Sequence, residues 1–338
     1  MKITRVQLYV AGIATVAVLF ALGIIHRRTA LPHNPAQEAQ QERAEATALL
    51  PQLPEGSTHA FDLPYVSGTR PGAKPDSIQT LDLFVPPGPG PFPLVIWIHG
   101  GGWHSGGKEA SGTHLATAFL PHGFALASLD YRLVGDAPFP AQIEDCNAAL
   151  VWLRAHASEY RLNPNRVGVA GHSSGAHLAA LMAVTGDGPR FSGGTQGNLR
   201  VQAAVCWATP ADLDVARGQW PEHAFVANPG SPSRFFFPNA TYRADFARDA
   251  SPSSYVHPGI PPLLIVHGAK DDLVPLGQTR AFAEALKNAG NEVVFRVDPS
   301  HGHDVMTALS IREALAFFEE VLMPVPAPTE NPTSRPRD

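Results

Sequence analysis

The chain has 338 residues, 44% of them hydrophobic, and a net charge of −5 at pH 7. This length suits one large domain of roughly 250 residues with additions at its ends, and the hydrophobic content can supply its core. The acidic balance provides no basic stripe for a nucleic-acid backbone. The two cysteines, Cys146 and Cys206, form neither a disulfide framework nor a zinc-ligand set, so we expect buried thiols, no metal and no nucleic-acid partner.

The N-terminus contains an uncharged apolar run over residues 6–25, which is long enough to cross a membrane as a helix. Ala21-Leu22-Gly23 offers the small residues that a signal peptidase needs, but the run continues past it to Arg27-Arg28. We therefore expect residues 1–25 to be a signal peptide or an N-terminal membrane anchor. The protein is then expected to be periplasmic or extracellular, with membrane contact only through this segment.

Composition divides the remainder of the chain into three parts. Residues 26–56 are rich in Ala, Gln, Glu and Pro and contain few large apolar side chains, which predicts a flexible linker. Repeated prolines over residues 324–338 predict a disordered tail. Residues 57–323 are expected to form the folded domain that carries the function.

Within that domain, short apolar runs alternate with longer helical patterns. This alternation is typical of an α/β fold with a mostly parallel central sheet and helices on both of its faces. The strands are predicted over 78–85, 94–99, 124–129, 167–170, 201–207, 263–267 and 292–297, and the helices over 141–156, 176–184, 278–289 and 305–321.

The first chemical motif is Gly171-His172-Ser173-Ser174-Gly175, which directly follows a short apolar strand and opens into a predicted helix. A strand, a sharp turn and a helix are the setting of a nucleophile elbow, in which the central serine projects into a cleft. We expect Ser173 to be a nucleophile. The alternative is an ordinary glycine-rich turn between a strand and a helix.

The second motif is His99-Gly100-Gly101-Gly102-Trp103, at the end of the strand predicted over 94–99. Glycines at this point allow backbone N–H groups to approach a ligand, as in an oxyanion hole. Gly101, Gly102 and the amide of Ser174 are the expected donors. A phosphate-binding loop is the alternative, but the chain lacks a GxxxxGK[ST] sequence.

A serine nucleophile needs a base, and the base needs an acid to orient it. Asp271 follows the strand predicted over 263–267 and is the favoured acid, with Asp272 as the alternative. The base must come from the Asp298-Pro299-Ser300-His301-Gly302-His303 segment, which leaves two histidines. The order Ser, Asp, His along the chain is that of α/β-hydrolases.

These motifs, together with the sequences SLDYRL at 128–133, APFPAQIED at 137–145 and HGAKDDLVP at 267–275, carry a resemblance over roughly residues 75 to 320. The chain resembles the α/β-hydrolase esterases of the hormone-sensitive-lipase and bacterial feruloyl-esterase-like (BD-FAE-like) group. The resemblance implies an α/β-hydrolase fold and places the base at His303 rather than His301. Asp304 departs from the glycine that is usual at that position.

The insertion over about 208–262 contains the Phe235-Phe236-Phe237 cluster and resembles a lid. Its phenylalanines either line a pocket or anchor the loop to the core. Trp103 and His172, which flank the two motifs, are candidates for contact with substrate.

The sequence therefore predicts a serine carboxylic-ester hydrolase without a cofactor. It would act on short-chain acyl esters or on acetyl or feruloyl esters of carbohydrates. An amidase of the arylformamidase type is the enzymatic alternative, because the same triad serves it. A non-catalytic binding protein on a hydrolase fold is the more distant alternative.

Overall fold

The computed structural model describes residues 35–66, 79–214, 220, 234 and 236–323. The predicted signal peptide or membrane anchor at 1–25 and the predicted tail at 324–338 lie outside these residues. Among the residues that are described, no helix combines the length and the apolar character needed to cross a membrane.

The described chain is built on one eight-stranded sheet, with the strand order β1-β2-β4-β3-β5-β6-β7-β8. The strands β3 to β8 are mutually parallel where they pair, and β1–β2 and β2–β4 are antiparallel. Their bounds are β1 Thr58–Pro64, β2 Thr80–Val85, β3 Phe92–Ile98, β4 Ala125–Leu129, β5 Leu162–His172, β6 Ala203–Trp207, β7 Leu263–Gly268 and β8 Val293–Asp298. The mostly parallel sheet confirms the predicted fold class.

The central strands are buried on both faces, which explains why they read as continuous apolar runs. In β3 every residue from Pro93 to Ile98 is buried, and all five residues of β6 are buried. The register Val95↔Gly168 between β3 and β5 and Gly168↔Ala203 between β5 and β6 aligns the carboxyl ends of these strands along one edge. The loops that carry the predicted motifs leave the sheet at that edge.

Helices cover both faces of the sheet, as predicted. The helices α3, α4 and α6 pack with Leu94, Ile96 and Ile98 of β3 in one core, and α2 and α7 pack with Val95 and Trp97 in the other. The helix bounds are α1 Pro35–Leu49, α2 Glu109–Phe119, α3 Ala141–Ala155, α4 Ser174–Thr185, α5 Ala244–Ala250, α6 Leu276–Asn288 and α7 Ala308–Leu322.

The segment predicted to be a flexible linker differs from that prediction. Residues 35–49 form α1, and Leu50–Gln52 extend it with one 3₁₀ turn. Ala46 is fully buried and Leu49 is nearly so. Arg43 reaches Asp62 and Asp82, at 2.7 and 3.5 Å. A few well-placed contacts therefore hold a helix whose composition is mostly polar.

The described part of the 208–262 insertion supports the anchoring interpretation of its phenylalanines. Phe236 and Phe237 are completely buried in the core on the side of α3 and α4. The N–H of Phe139 donates to the Phe236 carbonyl at 2.9 Å, which ties the insertion to the start of α3. These two side chains are part of the core, so they do not line an open pocket.

A buried ion pair joins α3 to the loop after β4. The guanidinium of Arg132 donates through Nε and Nη2 to the Asp145 carboxylate, at distances of 2.7 to 3.1 Å. The Arg132 backbone N–H and the Gln79 side chain donate to the same carboxylate. Asp145 is 1% exposed, so these donors replace its contact with water.

We predict that Asp145→Ala lowers the free energy of unfolding by about 3–5 kcal/mol, because Arg132 and Gln79 both lose the buried carboxylate that they bond. Asp249→Ala is the matched control, since it breaks an exposed pair with Arg190 and should cost under about 1 kcal/mol. Urea denaturation of both variants at pH 7 measures the difference. Equal losses would contradict this account.

Candidate active site

Ser173 stands between β5 and α4, in a backbone conformation that is rare for a residue with a side chain. Its φ is 54° and its ψ is −120°. Such strain persists only where neighbouring structure holds it. The Ser173 N–H donates to the Trp207 carbonyl of β6 at 2.8 Å, and its carbonyl accepts from the His177 N–H at 3.0 Å. The turn presents Ser173 as a sharp elbow at the carboxyl edge of the sheet.

The two glycines of the elbow are required by close packing of the backbone. A Cβ on Gly171 would lie 2.4 Å from the Gly175 carbonyl oxygen, and a Cβ on Gly175 would lie 2.1 Å from the Ile98 carbonyl oxygen. Neither contact leaves room for a methyl group. The predicted motif therefore reflects how tightly the turn packs against the end of β3.

The structure brings three of the predicted residues into one hydrogen-bonded chain. The Ser173 hydroxyl donates to Nε2 of His303 at 2.8 Å, and Nδ1–H of His303 donates to Oδ2 of Asp271 at 2.9 Å. His301 lies elsewhere: its side chain is 45% exposed and pairs with Asp298. Asp272 is exposed to solvent. Of the alternatives that the sequence left open, His303 is the histidine that contacts Ser173, and Asp271 is the aspartate that contacts His303.

Several hydrogen-bond donors surround the Asp271 carboxylate. Its Oδ1 accepts the N–H groups of Leu273 and Val274, at 2.9 and 2.8 Å. Burial alone would raise the pKa of this carboxyl, but the hydrogen bonds from His267 and His303 outweigh it and hold the pKa of Asp271 well below its usual range. Asp271 is therefore an anion throughout the neutral pH range.

The glycine loop lies directly against the elbow. A Cβ on Gly100 would be 2.9 Å from the His172 carbonyl oxygen and 3.5 Å from Cβ of Ser173. Gly101 and Gly102 have φ values of +117° and +61°, and the Gly101 carbonyl accepts the Ser105 N–H at 3.1 Å. Ser174 is the first residue of α4, so its backbone amide lies at the N-terminus of that helix. All three predicted oxyanion donors thus belong to segments that surround Ser173.

Trp103 is not placed where the sequence suggested. Its side chain has no exposed surface, stacks on Phe236 at a ring separation of 4.4 Å and meets His177 edge-on at 5.1 Å. The physical reason is the backbone of Trp103, whose φ of 60° belongs to a turn that sends the indole into the core. The expected contact between Trp103 and substrate is therefore replaced by a packing contact.

His172 also has a partner within the protein. Its Nε2–H donates to the His303 carbonyl at 2.9 Å, which ties the loop of the base to the elbow. Burial, with the nearby His303 adding to it, lowers the pKa of His172 to about 3. The Nε2 proton of His172 is bonded to the His303 carbonyl and is not available to a substrate. The hydrogen bonds of His172 therefore give no support to its predicted contact with substrate.

Sequence reasoning missed His267, the last but one residue of β7. The ring is completely buried, and Nε2 lies 3.0 Å from the Val274 carbonyl oxygen and 3.2 Å from Oδ2 of Asp271. The signal was present in the His267-to-Asp271 spacing at the end of a predicted strand, where a histidine and an aspartate share one tight turn.

A charged cluster lies at the far end of the glycine loop and was also missed. Lys108 is 3% exposed at its side chain, and its Nζ contacts Asp62, Asp82, Glu109 and Asp130 at 2.9 to 3.7 Å. Burial raises the pKa values of Asp82 and Asp130 to about 6, although Lys108 opposes this shift. For Lys108 these carboxylates outweigh the effect of burial, so its pKa lies above the usual value.

Comparison with known proteins shows which family the sequence matches. The BD-FAE family model matches residues 81–286, which is more than half of the chain. Esterase LipQ of Mycobacterium tuberculosis is 29% identical over 84% of this chain and 67% of its own length. LipM of the same organism, a probable carboxylic ester hydrolase, is 31% identical over 67% of this chain and 54% of its own length. The chain spans about half to two thirds of the length of these curated relatives.

Solved structures support the same fold. A truncated carbohydrate esterase from gut microbiota has a TM-score of 0.69 at 25% identity, covering 80% of this chain and 99% of that one. The thermophilic esterase Est2 of Thermogutta terrifontis has a TM-score of 0.61 at 23% identity, covering 82% and 97%. These likenesses confirm the expected α/β-hydrolase fold.

The cluster around Lys108 generates a prediction with a pH dependence. In Lys108→Met, Asp130 loses its cation and Asp82 keeps only Arg43, at 3.5 Å, so the pKa values of both carboxyls rise further above the unfolded values near 4. A carboxyl with a raised folded pKa stabilises the fold below that pKa and loses this contribution as the pH rises through it. We expect a loss of about 3–5 kcal/mol in unfolding free energy at pH 8 and a smaller loss at pH 5.5.

Urea denaturation at both pH values measures this difference. Lys287→Met is the control, because Lys287 is exposed in the last turn of α6 and should change stability little at either pH. A loss in Lys108→Met that is equal at pH 5.5 and pH 8 would contradict the predicted role of the carboxylates.

Proposed function

The chain belongs to the BD-FAE family of α/β-hydrolase esterases, and we propose that it cleaves carboxylic esters through an acyl-enzyme on Ser173. The observation that carries the proposal is the chain of hydrogen bonds from Ser173 through His303 to Asp271, at 2.8 and 2.9 Å. Nucleophile, base and acid are each within direct reach of the next. That spacing is what proton transfer from a serine hydroxyl requires.

In the first step, Nε2 of His303 accepts the Ser173 hydroxyl proton while Oγ attacks the ester carbonyl carbon. The carbonyl double bond opens to a tetrahedral oxyanion. The intermediate then collapses, the bond to the alcohol oxygen breaks, and His303 gives its proton to the departing alcohol. The anion of Asp271 stabilises the His303 imidazolium that exists between these two transfers.

In the second step, a water molecule gives a proton to Nε2 of His303 and attacks the acyl carbon. The second tetrahedral intermediate releases the acid, and the proton returns to Oγ of Ser173. Throughout, Asp271 keeps Nδ1 of His303 protonated, so that Nε2 is the nitrogen free to accept.

The oxyanion is proposed to rest on the backbone amides of Gly101, Gly102 and Ser174. The N-terminus of α4, where Ser174 begins the helix, adds a favourable dipole for a developing negative charge. The support for this assignment is the close packing of the glycine loop on the elbow at Gly100. Removal of one such donor typically costs about 3 kcal/mol in the transition state.

The substrate is proposed to be a short-chain acyl ester or an acetyl or feruloyl ester of a carbohydrate. The carbohydrate part of this proposal is supported by the likeness to the truncated carbohydrate esterase from gut microbiota. The apolar run at residues 6–25 further leads us to propose export, which would place the enzyme where such esters occur. Fractionation of expressing cells, with a cytoplasmic marker enzyme alongside, tests that location.

We predict that a fluorophosphonate probe labels the folded chain on Ser173 and that Ser173→Ala abolishes labelling. Hydrolysis of p-nitrophenyl acetate should fall by at least about 10⁴-fold in the same variant. Intact-protein mass spectrometry and initial rates measure the two effects. Absence of an adduct on the wild-type chain would refute the proposal.

The base is tested by a matched pair of variants on one loop. His303→Asn should lower kcat by about 10³-fold or more, because Ser173 loses its proton acceptor. His301→Asn changes an exposed ring that pairs with Asp298 and should keep kcat within about twofold. The reverse pattern would make His301 the base.

The substrate class is tested on a panel. Wild-type rates on p-nitrophenyl esters from acetyl to decanoyl are compared with acetate release from acetylated xylan, ferulate release from feruloylated sugars and hydrolysis of an arylformamide. We expect turnover of the shortest acyl esters or of a carbohydrate ester. Preference for the decanoyl ester or for an arylformamide would contradict the proposed class.

A further inference from the structure

His267 is a buried histidine that the mechanism above does not use. Its ring has no exposed surface, and Nε2 faces two acceptors, the Val274 carbonyl oxygen at 3.0 Å and Oδ2 of Asp271 at 3.2 Å. Nδ1 has no hydrogen-bond partner within the described part of the chain. The ring proton therefore belongs on Nε2, where the two acceptors share it.

Asp271 accepts imidazole protons from two sides. Oδ2 receives His303 at 2.9 Å and faces His267 at 3.2 Å, while Oδ1 is taken by two backbone N–H groups. The side chain of Asp271 is fully buried, so water does not compete for these positions. His267 also bonds Val274, and it thus ties the acid to the backbone of its own loop.

We propose that His267 is a positioning residue: it holds Oδ2 of Asp271 against His303 and, by sharing the charge of that oxygen, weakens the hold of His303 on its proton. The inference rests on the proposed function, because the consequence appears in the proton transfers of His303. His267 itself reaches neither solvent nor substrate.

Other titratable groups near the pair do not provide the same control. The ring of His172 lies 5.0 Å from that of His303, and burial lowers its pKa to about 3, so it carries no charge at working pH. The neighbours along the chain, Lys270, Asp272 and Asp304, are exposed, where solvent and salt screen their charges. Asp271 is the buried carboxylate in contact with His303, and His267 is the side chain that shares it.

Two amide variants separate the role of the proton from that of packing. In His267→Gln the side-chain amide nitrogen lies at about the position of the imidazole Nε2 and can still donate to Asp271. In His267→Asn the side chain is shorter, so the amide nitrogen lies at about the position of Nδ1 and does not reach Asp271. Both are neutral and polar. We expect Gln to preserve the wild-type behaviour and Asn to lose it.

The first measurement needs no substrate. The full chain is prepared with ¹⁵N-labelled histidine, and the NMR signals of the His303 imidazole are followed as the pH is changed. These signals are identified as the ones that are absent from the spectrum of His303→Asn. In His267→Asn, Oδ2 of Asp271 no longer shares its negative charge with a second imidazole and interacts with His303 alone. His303 should therefore bind its proton about three- to tenfold more tightly than in wild type. In His267→Gln the midpoint should stay within twofold of wild type.

The second measurement is the pH dependence of p-nitrophenyl acetate hydrolysis. His267→Asn should lower kcat about tenfold, leave KM within about twofold and move the acid limb of kcat/KM to higher pH. His257→Asn is the control, since it removes a ring bonded to the carbonyls of Val184 and Pro258 and should move neither.

Failure of the positioning role and failure of the proposed function give different results. An unchanged His303 midpoint in His267→Asn, or a shift of the same size in His267→Gln, overturns the positioning role. A raised KM with an unchanged kcat also overturns it. If the wild-type chain hydrolyses no ester, the proposed function fails, but the NMR titration still decides whether His267 acts on His303.

Discussion

At Gly175 the backbone of α4 comes so close to the end of β3 that a Cβ would lie 2.1 Å from the Ile98 carbonyl oxygen. This contact joins three parts of the site. It sets the start of the helix behind Ser173, brings the glycine loop that follows Ile98 onto the elbow, and leaves the Ser173 backbone at a φ of 54°. The strain at Ser173 is held by strands on either side, through Ile98 of β3 and Trp207 of β6.

The acid and base then depend on the parallel sheet. Because β5, β7 and β8 run in the same direction, the loops bearing Ser173, Asp271 and His303 leave the sheet at one edge. Side chains separated by 130 residues meet there at hydrogen-bond distance. Two further histidines complete the arrangement: His172 binds the backbone of the base, and the buried His267 faces the acid.

The fold was largely predictable because its central strands carry their signal locally. The continuous apolar run at 94–99 and the run at 263–267 could be recognised without any neighbour, since both faces of such strands are buried. The edge strand β1 was missed for the opposite reason. It consists of exposed and half-buried residues and pairs only with β2, so no apolar run marks it.

The residues of the site also divide into those that a local sequence pattern marks and those that it does not. Ser173 and the glycines around it could be predicted, because a strand, a turn and a helix adjoin in sequence. The inward direction of Trp103 could not, since it depends on a φ of 60° and on the distant Phe236. The bonds of Asp145 could not be predicted either, because Arg132 and Gln79 converge on it only in the folded chain. Contacts made across the sheet leave no local pattern.

The contacts of α1 have a practical meaning for anyone shortening this chain. Its composition suggests a tether that could be removed at residue 56. Such a cut would delete Arg43, which contacts Asp62, Asp82 and Glu109, and would expose the surface beneath Ala46 and Leu49. A soluble version for crystallisation should therefore begin upstream of Pro35.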